Sequence, residues 1–174
     1  MKKSLLSATI ALALGAMSAQ TSAQSLIFTP NEDARFNWAS YEALKSTDLS
    51  GETVTVFGPW LGAEKTSFES VIAYFEEATG ADVKYAGSDS FEQQIVIDAE
   101  AGSAPNVAVF PQPGLAATMA AQGLLTPLGD DMAAWVGDNY AAGQSWVDLG
   151  TYSDATGADQ FYGFFYNVNV KSLV

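Results

Sequence analysis

Cysteine and histidine are both missing from the 174 residues. Without cysteine there is no disulfide and no thiol nucleophile. Without histidine there is no serine–histidine triad, and the two absences together remove the usual zinc ligands. Neither a metal nor a cofactor is therefore expected. Basic residues are also scarce, with 7 Lys and Arg against 20 Asp and Glu and a net charge of −13. So acidic a chain repels phosphate backbones, so nucleic acid is not an expected partner. The charge reads as a solvated, soluble surface.

One long apolar run is present, and it lies at the start. Lys2 and Lys3 precede an Ala- and Leu-rich stretch from Leu5 to Met17, and Thr21, Ser22 and Ala23 supply small residues for cleavage before Gln24. This has the form of a cleaved secretory signal, residues 1–23, and is too short for a membrane anchor. It implies export to a periplasm, or to the cell exterior. A polar extension, 24–50, follows. Its Phe28, Phe36 and Trp38 are expected to cover an edge of the lobe, and residues 40–45 to form a short helix. Trp38 reads as a packing anchor rather than a sugar platform.

The remainder, 51–174, is organised around the stretch 53–80. Thr53 to Phe57 is apolar and β-branched, as in a buried strand. Gly58, Pro59, Trp60, Leu61 and Gly62 interrupt it. Phe68, Val71, Ile72 and Phe75 then fall on one helical face, with Thr66 and Glu69 at capping-box spacing and Gly80 as the terminator. A second strand is expected at 82–86 and a helix from a Ser90/Gln93 capping box to about Ala101. A strand buried on both faces follows at 106–110, then a helix at 115–122. Strand, helix, strand, helix, strand at this spacing implies right-handed crossovers and a parallel sheet flanked by helices, an α/β fold. Its three exit loops carry no Gly-x-Gly-x-x-Gly or Walker sequence, which leaves a nucleotide site without support. Beyond Thr126 a helix capped by Asp130 or Asp131 runs through Trp135. Residues 136–158 read as irregular with Trp146 and Leu149 buried, and 161–170 as a strand.

Ligands of open α/β sheets bind beyond the carboxyl ends of the strands. The residues there suit a sugar, which offers apolar ring faces to aromatics and hydroxyls to carboxylates and amides. Trp60 leads as a stacking platform, the alternative being a lid over its strand end. Glu64 can accept a hydroxyl or simply place charge at a helix N-terminus. Asp89 can do the same or cap the second helix. Gln112, between two prolines, has no evident structural reason to be there. Tyr166 and Asn167 end the last strand, where hinge packing suits Asn167; Tyr162, Phe164 and Phe165 read as core. Two further readings exist. In one, a secreted glycoside hydrolase uses Glu64 and Asp89 as its carboxylate pair. In the other, a ferric-ion receptor uses Tyr85 and Tyr166, without the adjacent tyrosine pair it would want.

Three segments carry a resemblance to a known family. TVTVFGPWLGAEKTSFESVIAYFEEATGADVKY, GSAPNVAVFPQPGLAATMAAQGLLTPL and FYGFFYNVNVKSLV, in that order, resemble the extracellular solute-binding proteins of bacterial ABC sugar importers, the maltose-binding-like family. FGPWLG, FPQPG and RFNWASYEALKS resemble its α-glucoside-binding branch most. The resemblance implies a non-catalytic, monomeric periplasmic receptor with the type II binding-protein fold. Such a receptor passes a sugar to membrane permease subunits by closing two lobes around it. The family's exit loop after the third strand often carries an Asp, where this chain has Gln112. Members are also similar to two-lobed proteins of roughly twice this length. The chain is thus expected to supply the N-terminal lobe, with the second lobe absent. Alone, it should expose a sheet edge and an apolar face, and aggregate or fold partially. A cooperative melt without binding of a hydrophobic dye would contradict that expectation.

Overall fold

The computed structural model describes residues 26–166. Residues 1–25, with the expected signal segment, and residues 167–174, Asn167 among them, lie outside the described residues. Three strands form a parallel sheet in the order β2-β1-β3, with β1 at Thr53–Gly58, β2 at Asp82–Gly87 and β3 at Val107–Ala108. Val56 faces Tyr85 across β1 and β2, and Gly58 faces Gly87 at the strand ends. The helix α2, Gly62–Thr79, connects β1 to β2, and α3, Phe91–Glu100, connects β2 to β3.

The two helices take opposite faces of the sheet, because side chains alternate along each strand. Val83 and Tyr85 of β2 meet Phe68 and Ile72 of α2. On the other face, Phe57 packs on Phe91 with ring centres 5.0 Å apart, and Phe91 meets Phe110 edge-on at 5.5 Å. Phe91, Ile95 and Met119 are the centre of this core, sealed by Leu115, Leu124 and Leu125 around the helix α4, Pro113–Ala121.

A second cluster holds the extension in place. The helix α1, Trp38–Leu44, is capped by Asn37, whose Oδ1 accepts from the Ser40 N–H at 3.1 Å. It packs Trp38 and Tyr41 against Tyr74 of α2, with Phe28 and Phe36 around them. The Tyr74 hydroxyl accepts from the Phe28 N–H at 2.8 Å and donates to the Phe28 carbonyl at 3.1 Å. Trp38 is therefore a packing anchor, and the extension is docked on α2. The last described part contains α5 (Asp130–Asn139), α6 (Gln144–Leu149) and an antiparallel pair, β4 (Thr151–Ser153) and β5 (Asp159–Phe161). Asp154 organises the turn between them: its Oδ1 accepts from the Thr156 N–H at 2.7 Å and the Ala158 N–H at 3.0 Å.

Several expectations need correction. The helix α2 begins at Gly62, four residues before Thr66, because Gly62 takes the left-handed φ of 52° that turns the chain into the helix. Thr66 Oγ1 donates back to the Gly62 carbonyl, and Glu69 pairs with Lys65. No capping box forms there. Val71 is 60 % exposed, since α2 turns Tyr74 and Ala78 to the extension and Phe68 and Ile72 to the sheet. Ser90 occupies the N-cap of α3 without capping it, its hydroxyl donating to Asp89 instead. The strand β3 is only two residues long. The Asn106 side chain takes over the pairing before it, accepting from the Thr55 N–H at 2.8 Å, and Val107 is half-exposed rather than buried on both faces. Asp130 and Asp131 lie in the first turn of α5, behind an N-cap at Gly129. The stretch 136–158 is largely ordered into α5, α6 and β4. Trp146 is half-buried, and Leu149 is exposed on the outer side of its short helix. Among the described residues the expected strand from 161 is not formed: β5 ends at Phe161 and Phe164 stands exposed instead of in the core, while 167–170 lie outside the described residues.

Asp33 ties the extension to pH. Hydrogen bonds from the Arg35 guanidinium and backbone N–H lower its pKa from 3.8 to about 2, and the Trp38 indole donates to its carbonyl at 2.7 Å. A carboxylate with a depressed folded pKa contributes stability above its unfolded value and loses it as pH falls through the folded one. Trp38 emission should thus hold steady down to about pH 4 and change between there and about pH 2. Asp33→Asn should remove that step from the titration.

Candidate functional site

The chain leaves β1 through Pro59 and Trp60 and leaves β2 through Ser88 and Asp89, so both loops rise from adjacent strand ends. Trp60 is half-buried at these tips. Its ring lies 4.9 Å from Phe68 and 4.9 Å from Tyr166, the latter edge-to-face at 81°. Tyr166 is 56 % exposed and is the more open ring. The two aromatics proposed from distant parts of the sequence therefore form one ledge. Burial pushes the Tyr166 phenol up, and the negative charge of Glu64 adds to the effect. Glu64 is exposed in the first turn of α2, where the helix dipole favours its charge.

The other candidates stand apart from the ledge. Asp89 is exposed on its own loop, holding only the Ser90 hydroxyl at 3.3 Å. Gln112 has a structural role that is not evident from its place between two prolines. It is the N-cap of α4, its Oε1 accepting from the Gly114 N–H at 2.7 Å while its Nε2 donates to Glu92 at 3.2 Å. Pro113 at the first helical position made such a cap readable in advance. Two clefts occur elsewhere, one beside Phe68 and Val83, the other between the sheet and α3 near Asp98, and neither is lined by Trp60 or Tyr166. The ledge is an open surface, as one wall of a divided site would be.

Tyr85 is tied to the loop that follows β1. Its hydroxyl accepts from the Trp60 N–H at 2.8 Å and donates to the Trp60 carbonyl at 3.2 Å, which commits it to the backbone. The carboxylate-pair reading also weakens. A general acid keeps its proton at neutral pH by burial among apolar groups, and both Glu64 and Asp89 are exposed.

The sequence profile of bacterial extracellular solute-binding proteins matches residues 59–170, more than half of the chain. The chain belongs to that family. Among its curated relatives, the solute-binding protein is 56 % identical to the alpha-glucosides-binding periplasmic protein AglE of Rhizobium meliloti, over the whole of this chain and 39 % of that protein. It is 38 % identical to the osmoprotective compounds-binding protein GgtB of Synechocystis sp., over 73 % of this chain and 29 % of that protein. It thus spans well under half the length of either relative. Both names describe binding and neither describes catalysis. Among the described residues of this solute-binding protein, no helix is long and apolar enough to cross a membrane.

The cap at Gln112 separates two roles. Gln112→Ala should lower stability by about 1 kcal/mol, the usual cost of losing an N-cap. Chemical denaturation would measure this. An unchanged midpoint would show that the cap contributes nothing and leave ligand contact as the reason for the residue.

Proposed function

We propose that this chain forms the N-terminal lobe, from residue 51 onward, of a periplasmic receptor. The receptor captures an α-glucoside or related oligosaccharide and hands it to the membrane subunits of an ABC importer. The observation that carries the reading is the Trp60–Tyr166 ledge beyond the parallel strand ends, with Glu64 in the first turn of the helix that follows Trp60, in a solute-binding protein whose whole sequence aligns with AglE. Trp60 and Tyr166 supply planar apolar faces for a pyranose ring. Glu64, with Asp89 and Gln112 from the neighbouring loops and Asn167 just beyond Tyr166, supplies hydroxyl partners. Such a half-site gains affinity when a second wall closes on the sugar, the hinge motion of two-lobed receptors. Delivery requires a free periplasmic protein, taken here as a monomer, and the signal-like residues 1–23 support its export. No bond in the sugar is broken.

Titration of maltose, trehalose and sucrose into the full-length protein carrying this sequence, followed by tryptophan emission, tests the reading. At least one sugar should shift the emission. Trp60→Ala should weaken binding more than tenfold, as loss of a central aromatic contact does. Wild-type affinity in Trp60→Ala, or binding of an acyclic osmolyte in preference to all three sugars, would overturn it.

A further inference from the structure

The indole of Trp60 sits on a loop with no regular structure, between Pro59 and the start of α2, yet stacking demands that its plane be fixed. Among the described residues, both polar groups of the Trp60 peptide have one partner, the Tyr85 hydroxyl. It accepts from the N–H at 2.8 Å and donates to the C=O at 3.2 Å. Tyr85 is on β2, paired in register with Val56, so its phenol is anchored in the sheet. Phe68 packs against both rings, 5.0 Å from Tyr85 and 4.9 Å from Trp60, and the Tyr85 and Trp60 rings lie 6.2 Å apart.

Two glycines clear the space. A Cβ on Gly87 would overlap the Trp60 carbonyl, and a Cβ on Gly58 would sit 3.0 Å from the Tyr85 hydroxyl. These residues face each other at the ends of β2 and β1, so the arrangement is built into the strand register.

We propose that Tyr85 is a positioning residue of the sugar site: it grips both backbone groups of Trp60 and sets the orientation of the stacking ring. The proposal rests on the reading of Trp60 as a sugar platform. Burial raises the Tyr85 phenol above its ordinary range. The group therefore keeps the proton that it donates to the Trp60 carbonyl throughout neutral pH. Phenylalanine at 85 would preserve the packing on Phe68 and lose both hydrogen bonds.

The test uses the full-length protein labelled with 5-fluorotryptophan, with the Trp60 resonance assigned by its loss in Trp60→Phe. In ligand-free Tyr85→Phe the Trp60 resonance should shift and broaden while those of Trp38, Trp135 and Trp146 stay. Calorimetry with the sugar that binds best should show roughly tenfold weaker affinity, the scale of one to two net hydrogen bonds. Gly87→Ala, which displaces the Trp60 carbonyl and leaves Tyr85 intact, should give both effects and guards against misfolding of the first variant. An unmoved Trp60 resonance in Tyr85→Phe overturns the proposal. So does unchanged affinity in Tyr85→Phe when Trp60→Ala abolishes binding, and in that case the sugar reading survives. Wild-type affinity in Trp60→Ala instead removes the sugar reading, and the proposal with it.

Discussion

Strand β1 must satisfy hydrogen bonds on both of its edges, and the arrangement of the other parts follows from how it does so. On one side it pairs over its full length with β2, Thr53 to Gly58 against Asp82 to Gly87. On the other it has two ladder partners in β3, and the side chain of Asn106 occupies the position where a third would begin. Because the strands are parallel, the chain must cross back each time by a helix. The two crossovers leave every exit loop at one end of the sheet. The loops that carry Trp60, Asp89 and Gln112 leave the same end of the sheet for that reason, although they span more than fifty positions of the sequence.

Periodicity and turn chemistry made most of this legible. The strands at 53 and 82 and the helices ending before Gly80 and Gly102 are found where apolar spacing and glycine put them. The start of α3 after Ser90 is also where the pattern puts it, whereas α2 starts earlier than Thr66 suggests, because a Thr does not cap a helix that a preceding turn has already opened. Thr66 bonds back along a helix that Gly62 had already begun. After Thr126 the helix through Trp135 is legible, and the order of 136–158 is not. Glycine and small residues there read as irregular, but α5 and α6 pack on each other with Tyr140 between Trp135 and Trp146, a tertiary effect that local pattern does not contain.

The same division holds at the site. Aromatic residues on exit loops could be picked out by chemistry alone, since Trp60 had no local reason to be exposed. That it meets Tyr166 could not be read from the sequence, because the contact joins positions more than a hundred residues apart. Gln112 shows the opposite error: a residue between two prolines looked free of structural duty, yet it caps the helix that the second proline opens. The grip of Tyr85 on a backbone peptide was likewise invisible, as the hydroxyl bonds to atoms that every residue possesses.

Gly87 has a consequence for comparing related chains. The Trp60 carbonyl occupies the volume that any side chain at position 87 would need. A relative with alanine or serine there must route its first loop differently, even if it keeps a tryptophan at the aligned position. The glycine therefore marks, in an alignment, the members whose loop can follow this path, and it does so from a residue that offers no side chain to any ligand.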